Sequence, residues 1–214
     1  ARGISHVGRT PYEDVYFSSI YLEGAILVYL KNIGVVAPNK ALDAREKMNR
    51  SSDEKFTGAY VKDPQVGMHD WVCSFDLASL YPSIIMTNNI GRESLVGRIL
   101  DHDDRNNRLA LNDLKEMDPD RVYTIQNLQR KEKDLSVKEI IQTVKDHNLS
   151  ITANGVMFRT DKPSTLSVVL AQWFDERVVY KNAMKKAYKA GNKEEGDLNH
   201  LRQYTMKILL NSLY

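Results

Sequence analysis

Hydrophobic and polar positions alternate in different ways along the chain, and the changes divide it. From Val15 to Val36 apolar residues recur at mixed spacing before Ala37-Pro38-Asn39, which predicts a helix stopped by proline and turn chemistry. The polar run Lys40 to Lys55 then reads as a linker. From Phe56 to Leu77 the pattern becomes strand-like: FTGAYV, a turn around Asp63-Pro64, then WVCSFDL, rich in β-branched and aromatic residues. Pro82 and the run Ser83-Ile84-Ile85-Met86 predict that this second strand turns sharply into a helix at Ser79 to Pro82.

Residues 91 to 150 carry the weakest periodicity, with a polar DHDDRNNR stretch and a weakly amphipathic Leu135 to His147. Residues 164 to 190 form a long helical pattern, opened by Ser164 after Pro163 and closed by Gly191-Asn192. A second helix follows from about Glu194 to the end. The short connection makes the two antiparallel neighbours, a helical hairpin.

Composition changes this picture little: 42% hydrophobic and 27% charged residues describe an ordinary globular core. There is no run of about 18 apolar residues, and the start ARGISHVGRT lacks the apolar stretch of a secretory signal, so a cytoplasmic setting and no membrane are expected. The one cysteine, Cys73, has no internal disulfide partner and is expected as a buried, inert thiol. The net charge of +2 implies no polyanion by itself, but Gly155 to Tyr214 holds ten Lys/Arg against six Asp/Glu. The C-terminal third is the basic part.

Within that third, Arg177, Lys181 and Lys185 recur every four residues on one helix face, and Lys207, Asn211 and Tyr214 share a face of the next. Arg177 lies 14 residues before Gly191 and Lys207 lies 11 after Gly196, so both stand about 17 to 21 Å from the tip. Two cationic stripes at one height suit a triphosphate, which Arg forks and Lys meets as a point charge. Charge spacing alone fits two solvated faces of a surface hairpin as well.

A second signal is Ser74-Phe75-Asp76-Leu77-Ala78-Ser79-Leu80-Tyr81-Pro82-Ser83-Ile84-Ile85. An aspartate at the end of an apolar strand, followed by a tight turn, sets a carboxylate beside free backbone N–H groups, a setting for Mg²⁺ and phosphate. Taken generically, such an aspartate also serves as a turn former or helix cap.

DLASLYPSII resembles motif A (DxxSLYPSII) of family B DNA polymerases, and KILLNSLY resembles their motif B (KxxxNSxYG), ending just before its glycine. FTGAYV is similar to the (Y/F)xG(G/A) element that joins exonuclease and polymerase domains in that family, and Asn154-Gly155 with the basic fingers helix is most similar to the tailed-phage, T-even-like branch. Only 30 residues separate Arg177 from Lys207, a shorter fingers excursion than T-even-type enzymes carry.

The resemblance implies a partial family B fold: an α/β (α+β) palm with antiparallel strands plus an α-helical fingers hairpin. Residues 1–55 would be the end of the exonuclease domain with a linker, 56–160 the N-terminal part of the palm, and 161–214 the fingers. It implies template-directed deoxynucleotidyl transfer with two Mg²⁺ ions. Asp76 and the Leu77 carbonyl would be metal ligands, the N–H groups of Ser79 and Leu80 would hold the triphosphate, and Tyr81 would gate the sugar. Arg177, Lys181 and Lys207 would grip the triphosphate, Asn211 and Tyr214 would lie near the nascent base pair, and Gly58 and Ala59 would admit the template backbone. Lys185, Lys186 and Lys189 take no family role.

The implied partners are primer–template DNA, a deoxynucleoside triphosphate and a sliding clamp, in the host cytoplasm if the protein is phage-encoded. The YxDTDS motif with the second aspartate does not occur, and Asp101 to Asp104 lie on the wrong side of motif B to replace it. The exonuclease motifs DxE and YxxxD are missing too, Tyr12 being followed four residues on by Tyr16. A second polypeptide carrying the rest of the palm and the thumb is therefore expected. The ending inside motif B points to a split gene, an intein interruption or a deliberately shortened chain, inactive and aggregation-prone alone. The competing expectation is a non-catalytic module that binds DNA or nucleotides.

Overall fold

The computed structural model describes residues 1–37, 60–77, 79–100 and 109–213. These residues gather around two hydrophobic cores. The first joins both ends of the chain: α1 (Arg2–Gly8) and α2 (Ser18–Asn32) pack on the base of a long helical hairpin, α6 (Thr165–Lys189) and α7 (Lys193–Ser212). Ile4, Tyr21 and Ala25 meet Val169, Leu170, Trp173, Met206, Leu209 and Leu210 there. The Tyr21 hydroxyl donates to the Ser212 hydroxyl at 2.6 Å, pinning α2 to the last turn of α7.

The hairpin forms as its sequence predicts. Ser164 caps α6 by accepting the Ser167 N–H, Asn192 caps α7 by accepting the Glu195 N–H, and Gly191 at φ 76° makes the left-handed turn between them. The stop expected at Ala37-Pro38-Asn39 comes earlier, α2 ending at Asn32.

The second core lies where periodicity was weakest. β1 (Leu95–Leu100), β2 (Val122–Asn127), β3 (Glu132–Ser136), β4 (Leu149–Ile151) and β5 (Val156–Arg159) make an antiparallel sheet in the order β3-β2-β1-β5-β4. Ile99, Tyr123, Ile151 and Met157 share this core with Leu114 of α4 (Leu111–Glu116) and with Val137, Ile140 and Val144 of α5 (Val137–Asp146). Gly97 admits the neighbouring strand, since a side-chain carbon there would stand 2.5 Å from the Gln126 carbonyl oxygen. The register between β1 and β5 shifts beside it, between Leu95 and Gly97.

Two expectations are corrected. WVCSFDL forms no strand, and Trp71 and Phe75 are 97% and 94% exposed. β-propensity describes a side chain that fits a pleated surface, and among the described residues no strand pairs with this segment to supply one. For the same reason Cys73 is exposed, not buried. The FTGAY part of the first expected strand falls largely outside the described residues, as does the Asp101 to Asp104 cluster.

Candidate nucleotide and metal site

Asp76 and Leu77 end the exposed segment 72–77, and two residues later the chain turns. Ser79 adopts φ 54° and ψ 50°, a left-handed conformation uncommon outside glycine, and α3 (Leu80–Thr87) starts at once. Pro82, buried in the first turn, needs no N–H there and is preset for the helix. The Ser79 side chain makes no capping bond, so the first-turn N–H groups have no side-chain partner from the cap position. Tyr81 is 57% exposed beside this helix start. The sharp corner read from DLASLYPSII is thus present, without the strand before it.

The cations lie on the hairpin. Its register is set near the tip, where the Tyr188 ring fills the space a side chain on Gly196 would need and its hydroxyl donates to Asp197 at 2.7 Å. That bond, with slight desolvation and the aspartate's charge, raises the Tyr188 pKa. Further down, the Arg202 guanidinium stands 5.7 Å from the centroid of the Tyr180 ring. Continued at about 1.5 Å per residue, this register brings Arg177 and Lys207 to the same level. Lys181, Lys207 and Asn211 are exposed, whereas Arg177 is half-buried and its Nε is buried without a hydrogen-bond partner among the described residues. An unpartnered buried N–H costs free energy and suits an incoming acceptor.

Packing joins the two halves. Ile85 and Met86 of α3 lie against the core that holds Leu170 and Trp173 of α6 and Leu209 and Leu210 of α7. The Ser167 hydroxyl reaches the Ile85 carbonyl at 3.4 Å. Gly58, Ala59 and Tyr214 lie outside the described residues.

Asp76 and the Leu77 carbonyl are hard oxygen donors, right in kind for Mg²⁺. In number they fall short, because among the described residues no cluster of three or more His, Cys, Asp or Glu forms.

Sequence reasoning missed a buried polar junction between α3 and α6. The Asn89 amide donates to the Arg159 and Lys162 carbonyls, both at 2.7 Å, and its oxygen accepts the Ser164 N–H at 2.6 Å. A buried asparagine has no periodic signature; the Asn88-Asn89 pair ending an apolar run was the available hint.

Known proteins resemble parts of the chain. "DNA polymerase 1" of Pyrococcus abyssi is 45% identical over 60 residues, 28% of this chain and 8% of that protein. The DNA polymerase of Orf virus (strain NZ2) is 27% identical over 160 residues, 74% of this chain and 14% of that protein. The structure of the family B DNA polymerase from Pyrobaculum calidifontis superposes with a TM-score of 0.52 at 20% identity, over 99% of this chain and 21% of that one, which shows a shared fold. The chain thus spans a small part of each relative's length. The sequence profile of DNA polymerase family B matches residues 15–214, and the chain belongs to that family.

Proposed function

We propose that this chain supplies the triphosphate grip, the sugar gate and one carboxylate of the metal site of a DNA-directed DNA polymerase. The observation that carries the reading is the left-handed corner at Ser79. It sets Asp76 and Leu77 just ahead of a helix start without a side-chain cap, and that helix packs on the base of the cationic hairpin.

In this reading Asp76 and the Leu77 carbonyl hold Mg²⁺ together with a carboxylate from the remaining palm. When bound, paired Mg²⁺ ions stabilise the attacking and leaving oxygens of an in-line displacement. The chain's own groups bind and orient. The Ser79 and Leu80 N–H groups donate to phosphate oxygens, Tyr81 packs under the sugar where a 2′-hydroxyl would clash, and Arg177, Lys181 and Lys207 neutralise the triphosphate. Asn211 and Tyr214 contact the nascent base pair, and Gly58 and Ala59 admit the template strand.

The parts keep their proposed assignments: 1–55 as the exonuclease end and linker, 56–160 as palm, 161–214 as fingers. The N-terminal helices also brace the hairpin base. Primer–template DNA, a deoxynucleoside triphosphate, a sliding clamp and a complementing segment with the second aspartate and the thumb are the proposed partners. A T-even-like origin and a cytoplasmic setting complete the reading. No helix among the described residues is long and apolar enough to cross a membrane.

The test is nucleotide affinity in a polymerase completed by the remaining palm and thumb. Each charged contact to phosphate contributes about 1.5–3 kcal/mol, so Arg177→Ala and Lys207→Ala should each raise the KM for the incoming nucleotide by about 10- to 100-fold. Unchanged KM in both variants, with DNA still bound, would favour a module that binds nucleic acid without catalysis.

A further inference from the structure

We propose that Asn89 is a positioning residue that fixes the tilt of the fingers hairpin relative to the Asp76–Tyr81 corner. The inference rests on the function proposed above. Asn89 follows α3 with φ 53° and is 6% exposed. Its side chain uses both N–H hydrogens and its oxygen on backbone groups of residues 159–164, the segment leading into α6: the carbonyls of Arg159 and Lys162, and the N–H of Ser164. The third bond falls on the residue that caps α6.

Other buried groups close around the same point. The Ser94 hydroxyl donates to the Asn89 carbonyl at 2.6 Å, and the Ser164 hydroxyl lies 3.0 Å from the Ile90 carbonyl. Gly91 packs against Ser164, where an added side-chain carbon would come within 2.5 Å of the serine Cβ. Ser94 and Ser164 are almost wholly buried. Surface helices need no such junction, and a half-satisfied buried network is costly, so this arrangement holds one geometry.

That geometry acts through a lever. Arg177 lies 13 residues beyond Ser164, about 20 Å along the helix, so a tilt of about 5° at the base moves it by about 1.7 Å. A displacement of that size is enough to misplace a phosphate contact. Asn89 touches no proposed ligand site, so its effect reaches nucleotide binding through the relative placement of α3 and α6.

The experiment compares variants of the complete polymerase. Asn89→Gly permits the left-handed backbone but removes the amide. It is expected to raise the KM for the incoming nucleotide about tenfold, with kcat at saturating nucleotide and primer–template affinity within about twofold of the parent. Asn89→Asp retains the oxygen that accepts the Ser164 N–H but turns its second oxygen on the Arg159 and Lys162 carbonyls, so it is expected to raise KM at least as far as Asn89→Gly. A lower melting temperature with unchanged KM would overturn the inference, because a merely structural contact gives that result. If Asn89→Gly does not fold, Asn89→Ser, whose shorter side chain cannot span all three backbone groups, carries the test, with a raised KM in support and an unchanged KM against. Arg177→Ala separates the two proposals: if it leaves KM unchanged, the assigned triphosphate grip fails, whereas a raised KM there beside a normal KM in Asn89→Gly sinks only the positioning role.

Discussion

Gly24 of α2 sits against the carbonyl oxygen of Gly8 in α1, so closely that a side-chain carbon at position 24 would overlap it. The helices cross where neither has a side chain, and the approach lets Ile4 and Tyr21 reach the hairpin base. Gly24→Ala would gain about 1 kcal/mol of helix propensity but force the backbones apart. A net destabilisation of about 2–3 kcal/mol is expected in denaturant unfolding. An unchanged midpoint would show that the helices separate freely.

Two sheet hairpins use the same turn with different residues. Gly155, at φ 76°, ends the turn between β4 and β5, and Arg130, at φ 59°, occupies the matching place between β2 and β3. Arginine bears strain there that glycine does not. Arg130→Gly should therefore stabilise the sheet by about 0.5–1 kcal/mol, read as a higher unfolding midpoint. A lower midpoint would mean that the chain entropy of glycine outweighs the strain.

Glu93 ties acid stability to the α6 start. Partial burial opposes its ionisation, but bonds from the Thr165 hydroxyl and N–H, and from its own N–H, outweigh that and hold its pKa below the ordinary 4.5. A carboxyl with a lowered folded pKa contributes stability that is present above its unfolded pKa and lost as pH falls through the folded one. Glu93→Gln should therefore show a shallower loss of melting temperature than the parent between about pH 5 and 3. Parallel curves would place the acid sensitivity elsewhere.

Tyr81 is expected to select the sugar by clash. Tyr81→Ala in the completed polymerase should increase ribonucleotide incorporation by about a hundredfold while deoxynucleotide incorporation falls less. Equal losses for both substrates would assign the ring to packing.

What the sequence disclosed follows from how local each signal is. The hairpin was legible because Ser164, Gly191 and Asn192 act on their own backbone neighbours. The corner at Ser79 was legible from a dense motif. The sheet was not, because β3 is the polar edge strand Glu132-Lys133-Asp134-Leu135-Ser136, whose first three residues are exposed, and β1 is interrupted by Gly97. Its helix α5 did carry a readable signal, the capping box of Ser136 and Glu139. The exposed WVCSFDL segment shows the converse: with no partner strand among the described residues, strand propensity yields no strand there.

The central claim is that Asp76 is half of a polymerase metal site whose other half lies in the complementing segment. The direct measurement is Mg²⁺-dependent extension of a primer–template by this chain alone and mixed with a separately made fragment carrying the remaining palm and thumb, with Asp76→Ala as control. Extension only in the mixture, abolished by Asp76→Ala, is the predicted result; extension by this chain alone, or by a mixture containing Asp76→Ala, would contradict the account.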